Sequence, residues 1–119
     1  MTMLNIKDQV YSALSRNLEN VTDIYPQNWA NLPAIQYTEE DNSVAEWTDD
    51  QETLSHVQYR VDIWNSGSTS KLALEVDQAL APFGLKRIAC TDISDTSGLR
   101  HKQMRYEAYF DENFIFHSN

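Results

Sequence analysis

Four residues in the C-terminal third, Asp92, Asp95, His101 and Glu107, are the set from which a metal site or an acid/base pair could be drawn. An imidazole beside carboxylates can hold a divalent ion or relay a proton near neutral pH. The spacing argues against both. His101 and Glu107 sit six residues apart on one alternating segment, so they share a face yet stand roughly 20 Å apart, too far for one ion to bridge. His56, His101 and His117 are scattered, and none has the His-Glu-x-x-His spacing of a zinc helix. Gly67 and Gly98 stand alone, without a phosphate-cradling loop. Ser66, Ser68 and Ser70 lack a Gly-x-Ser-x-Gly elbow and suit helix capping better. A metal-dependent hydrolase or nuclease is therefore the weaker alternative, and neither a metal nor a cofactor is expected.

A second concentration of chemistry-bearing side chains is acidic. Glu39, Glu40, Asp41, Glu46, Asp49, Asp50 and Glu52 fall within fourteen positions that contain no Lys or Arg. The run suggests calcium, but the Asp-x-Asp-x-Asp-Gly pattern is missing. The segment has no hydrophobic period and reads as a long loop or a flexible hairpin tip over residues 39–53.

The elements that must position these residues follow from periodicity. Ile6, Val10 and Leu14, widened by Ala13 and Leu18, make a helical stripe that Asn5 opens and Asn20 closes. Val21 to Tyr25 and Ala34 to Thr38 are short strand signals, with Pro26 and Pro33 at the breaks. The clearest strand is the third, in which Val57, Tyr59, Val61 and Ile63 alternate with His56, Gln58, Arg60 and Asp62. Ser68 then caps a second helix carrying Leu72, Val76 and Leu80, flanked by Ala73 and Ala79, which Pro82 and Gly84 end. A fourth strand is expected from Leu85 to about Thr91. After a turn-rich loop, a fifth runs from Leu99 to Asp111 with Met104, Tyr106, Ala108 and Phe110 on one face. The order α-β-β-β-α-β-β predicts an α+β domain: one twisted, mostly antiparallel sheet with both helices on its apolar face.

Composition sets outer limits. A chain of 119 residues with 41% apolar side chains, three Trp, six Tyr and four Phe is long enough for one domain with a packed core. The lone Cys90 excludes an internal disulfide and, with Ile88 and Ala89 as neighbours, is expected to be buried and inert. No apolar run approaches the roughly twenty residues that cross a bilayer, and Met1 to Asn17 lacks a signal-peptide core, so no membrane partner is expected. A formal charge of −9 disfavours gripping a polyanion such as DNA.

Two features point to protein partners. Trp29, Trp47 and Trp64 lie in or beside connections, Trp64 with the outward parity of its strand, and because Trp is enriched at interface hot spots one of the three is expected to contact a partner. The end, Asn113 to His117, holds Phe114, Ile115 and Phe116 in succession, which cannot all face one side of a strand. It either pairs against the sheet, the slightly favoured reading, or docks on a neighbour.

The succession Val57-Gln-Tyr-Arg-Val-Asp-Ile-Trp64, Ser68 to Leu80, Phe83-Gly-Leu-Lys-Arg87 and His101-Lys-Gln-Met-Arg-Tyr-Glu107 resembles the tail-completion, or tail-terminator, proteins of long-tailed phages and prophages, over about half the chain. The resemblance implies a small α+β subunit of a virion, assembled in the host cytoplasm. It would form a ring, commonly a hexamer, on the head-proximal end of the tail tube, stop its growth and meet the head connector. The partners implied are copies of itself, the tube protein and the connector, with DNA passing through without specific binding. That family has no catalytic residues to carry over. On this reading Glu39–Glu52 would face the channel or the next ring, where an anionic wall repels phosphate. A monomeric host or prophage protein-binding module, contacting partners through Trp64 and the Phe114–Phe116 tail, is the alternative from another class.

Overall fold

The computed structural model describes residues 5–48, 51–111 and 116–117. The fold is α+β. Its elements run α1 (Lys7–Ser15), β1 (Asn20–Thr22), β2 (Ala34–Thr48), β3 (Gln51–Asn65), α2 (Ser70–Leu80), a 3₁₀ turn (Ala81–Phe83), β4 (Lys86–Ile93), β5 (Arg100–Phe110) and the short β6 (Phe116–His117). The sheet order is β1-β2-β3-β5-β4, with β6 also pairing β5. Every pairing is antiparallel except that of β1 with β2.

The apolar face of the sheet is built as the alternation predicts. Val57, Tyr59, Val61 and Ile63 of β3, Met104, Tyr106, Ala108 and Phe110 of β5, and Ile35 and Tyr37 of β2 form one core with Ile6, Val10 and Leu14 from the N-terminal helical region and Ala73, Val76 and Leu80 of α2. The buried tyrosines need partners for their hydroxyls. Tyr106 donates to Asp77 Oδ1 of α2 at 3.1 Å, and Tyr59 to Glu39 Oε1 of β2 at 3.3 Å. Burial, reinforced by these carboxylates, pushes both phenols well above the ordinary tyrosine range.

Several boundaries differ from expectation, each for a local reason. Asn5 Oδ1 accepts from the Lys7 amide at 3.2 Å, but Ile6 and not Asn5 stands at the N-cap of α1, and the helix stops at Ser15. Asn20 belongs to β1 instead, and its side-chain amide donates to the carbonyls of Asn28 and Asn31, tying the following connection together. Ser68 Oγ accepts from the Ser70 amide at the start of α2, and Gly84 ends the following turn with φ +83°, a left-handed conformation that favours glycine.

The largest correction concerns the acidic segment. Residues 39–48 are not a loop: they continue β2, which pairs with β3 as far as Thr48 opposite Gln51. The ladder of β5 on β3 stops at Phe110 opposite Ser55, so the end of the β2–β3 hairpin runs on past the neighbouring strand. Fifteen residues of strand span roughly 50 Å. That matches the 52 Å long axis of a body only 23 and 22 Å across.

Cys90 is also corrected. It lies opposite Met104 on the helix side of β4, but β4 is the outermost strand, and the thiol is exposed.

Helix α2 offers a stability test with one residue type in two settings. Leu80 is fully buried, whereas Leu74 is 61% exposed. Leu80→Ala should destabilise the chain by about 2–5 kcal/mol in urea unfolding, and Leu74→Ala by less than about 0.5 kcal/mol. Equal losses would contradict the described packing.

Candidate functional site

The opposite face of the sheet is polar, and its charges answer one another. An irregularity in the ladder between Glu39 and Asp41 puts two consecutive acids on this face, and Glu40 projects over β3 and β5, where its carboxylate is met by Arg105 Nε at 2.9 Å, Gln58 Nε2 at 3.0 Å and Arg60 Nη1 at 3.4 Å. Arg60 also donates from Nε to Asp62 Oδ2 at 2.8 Å. Asp62 is only 3% exposed, and its other oxygen takes His101 Nε2 at 2.7 Å and Gln103 Nε2 at 3.1 Å. A buried carboxylate is tolerable here because each of its oxygens is hydrogen-bonded.

Each of the two strand histidines lies between two carboxylates. His56 Nδ1 is 2.6 Å from Asp41 Oδ2, and its Nε2 is 2.8 Å from Glu107 Oε1. A neutral imidazole has a single N–H, so only the imidazolium can donate to both. Burial opposes that charge, but the hydrogen bonds and negative charges of Glu107 and Asp41 outweigh it and raise the His56 pKa. In turn the bond from His56, then that from Ser43, lowers Asp41. The Tyr109 ring packs on the imidazole with centroids 4.9 Å apart. Around His101 the arrangement is similar: Nε2 meets Asp62 and Nδ1 lies 3.6 Å from Asp95.

Of the four residues of the hydrolase alternative, Asp92, Asp95 and His101 line one open cleft of about 510 Å³, and Glu107 stands apart from them. Glu107 belongs to His56, Asp92 pairs with Lys102 at 3.1 Å, and only Asp95 and His101 meet. Among the described residues no three His, Cys, Asp or Glu side chains are grouped to hold a metal ion. No helix among them is long and apolar enough to cross a membrane.

Of the seven acids singled out in the sequence, Glu39, Glu40 and Asp41 all have partners, Glu39 accepting from Asn42 and Tyr59. Their cations come from β3 and β5, distant in sequence. Glu46 and Glu52 lie in strands of which only the backbone is described, and Asp49 and Asp50 lie outside the described residues, as does Phe114. Phe116 is placed by its backbone alone, opposite Phe110 in the β5–β6 pairing, which fits the intramolecular reading of the tail.

Trp64 does have outward parity, but at 4% exposure its ring is spent within the chain. It stacks on His101 with centroids 4.4 Å apart, meets Tyr25 and Trp29 edge-on, and donates from Nε1 to Asp95 Oδ2 at 2.9 Å. The solvent-facing part of this cluster is Tyr25, which with Trp29, Leu32, Ser97 and Leu99 lines a shallow cleft of about 370 Å³. Sequence reasoning missed Tyr25; its position just before Pro26, beside a short edge strand, was the available signal.

Neither a scan against protein-family models nor a search of curated proteins gives a match to this chain.

Two measurements probe the charge lattice. The His56 contribution is present in full below the unfolded histidine value of about 6.5 and is lost as pH rises through the raised folded value. Asp41 has the opposite sign, its contribution fading as pH falls below the ordinary carboxylate range. Thermal melts should therefore show wild type losing a few degrees more than His56→Gln between pH 6 and 9; parallel curves would count against the doubly bonded imidazolium. For Glu40 and Arg105, a double-mutant cycle with Glu40→Gln and Arg105→Gln should give a coupling of about 1 kcal/mol that shrinks in high salt. Additive losses would show that the pair contributes nothing.

Proposed function

We propose that this chain is a structural subunit of a phage or prophage virion that caps the tail tube as a ring, ends tube growth and forms the tail side of the joint to the head. The observation that carries the reading is how the ionisable side chains are used. The resembling segments make up β3, α2, the start of β4 and β5. Their polar residues Arg60, Asp62, His101, Arg105 and Glu107 bond to one another or to Glu40 and His56 across a sheet face. Such a lattice stiffens a scaffold. Both nitrogens of His56 are held by carboxylates, which leaves it unpoised to take a proton from a substrate.

The long hairpin fits the same role. Its end reaches beyond β5, and Glu46, Asp49, Asp50 and Glu52 fall there in sequence, so we assign that end to the channel or to the next ring of the tube. Glu39, Glu40 and Asp41, being held by their own chain, are assigned to the scaffold. Tail proteins, connector and copies of this chain are the partners on this reading, and DNA passes without specific contact. The binding-module alternative has one observation in its favour, the Tyr25–Trp29 cleft.

Electron microscopy of tails assembled with and without the chain separates the two. A capping subunit should leave overlong or headless tails when omitted. Tails of normal length that join heads without it would overturn the proposal and leave the binding module.

A further inference from the structure

The open cleft of about 510 Å³ that holds Asp92, Asp95 and His101 has a second wall, formed by Ser68, Thr69 and Ser70 at the start of α2. Its charges divide between the two faces of the sheet. His101 lies opposite Trp64 on the polar face, held by Asp62 and Asp95, and Asp95 also accepts from the Trp64 indole and the Ser97 amide. Arg100 and Lys102 have the parity of Met104, the helix side, and Asp92 lies opposite Lys102. On that side two cations face one acid. Lys102 Nζ engages Asp92 at 3.1 Å, while Arg100 is exposed and makes no ion pair among the described residues.

The α2 wall supplies further donors. The first bond of the helix runs from the Ala73 amide to the Thr69 carbonyl at 2.9 Å, so the amides before Ala73 lack helical partners. Ser68 Oγ takes the Ser70 amide, which leaves those of Lys71 and Leu72. Thr69 stands at the N-cap, yet its side chain caps neither. It is only 6% exposed and lines the cleft. An enclosed hydroxyl without a partner is costly, and among the described residues only Thr38 Oγ1 is so placed. The Thr69 hydroxyl, likewise without a partner among them, therefore opens into the cleft.

What the cleft leaves unsatisfied is all of one kind. A guanidinium, a hydroxyl and two amides at the positive end of a helix remain, with both carboxylates already bonded. Such a set is made for an oxyanion. We propose that this cleft binds a phosphate group, held by Arg100, the Thr69 hydroxyl and the Lys71 and Leu72 amides, with Asp92 competing for Lys102 from within the chain. The formal charge of −9 acts on a polyanion along its length, but a single phosphate meets only the local surplus of cations. Half-buried Ile93 and Leu99 line the same cleft and leave an apolar wall for the organic part of a small phosphomonoester. The site does not depend on the tail-capping role, which makes no use of this cleft.

The test follows backbone amide resonances of the full chain at constant ionic strength. Inorganic phosphate is titrated in one arm and glycerol 3-phosphate in the other. Saturable shifts should centre on Ser70, Lys71 and Leu72. Arg100→Gln and, separately, Thr69→Val should each weaken binding about tenfold, and Asp92→Asn should tighten it severalfold. Lys86→Gln, at an exposed position of β4 outside the cleft, should leave it unchanged. Arg100 is exposed, so its variant carries the test should Thr69→Val unfold. Tighter binding of the ester assigns the site to a small phosphomonoester, and equal binding assigns it to the free anion. Shifts that never saturate in either arm, or that survive Arg100→Gln unchanged, would overturn the site.

Discussion

Strand β3 has a hydrogen-bonded neighbour on each side for most of its length, so each of its faces must be satisfied across three strands at once. On one face that constraint is met by burial: Val57, Tyr59, Val61 and Ile63 are removed from water beneath the helices. The other face carries His56, Arg60, Asp62 and Trp64, and with no helix to cover it, it is closed by reciprocal bonding. The two solutions are coupled through parity. A slip of one residue in either ladder would send Asp62 into the core and Val61 into the charge lattice.

That coupling explains why the acidic stretch of β2 is ordered as a strand at all. It has few apolar residues to bury, and high β propensity is absent from Glu39, Glu40 and Asp41. What holds it is the set of donors presented by β3 and β5: Tyr59 for Glu39, Arg60 and Arg105 for Glu40, His56 for Asp41. The partners lie between fifteen and sixty-five residues away in sequence. Hydrogen bonds to charged groups are worth more than neutral ones, and a sheet can run on where a core cannot follow.

The limits of reading this chain from its residues follow from the same physics. Alternation made β3 and β5 legible almost to their ends, and 3.6-residue spacing did so for α2. Class, element order and the mostly antiparallel sheet came with them. The extension of β2 was not legible, because its stabilising partners are long-range charges that leave no period in the local sequence. Nor was the exposure of Cys90, since an apolar neighbourhood on an edge strand looks the same in sequence as one on a central strand. Individual site residues were legible by type, as with His101 and Glu107, but their partners were not. His56 could be placed on the polar face by parity, but not the two carboxylates that clasp its nitrogens.

The lattice face has a consequence for how the molecule looks from afar. Glu40 and Asp62 are offset by Arg60 and Arg105, while Asp41 and Glu107 share the single imidazole of His56. Seen from more than a Debye length, about 8 Å at physiological ionic strength, these groups cancel into short-lived multipoles. Most of the surplus of −9 therefore resides on the flanks and along the hairpin. A passing polyanion meets a near-neutral wall or a repulsive one according to which way the subunit is turned, so orientation alone sets the far field.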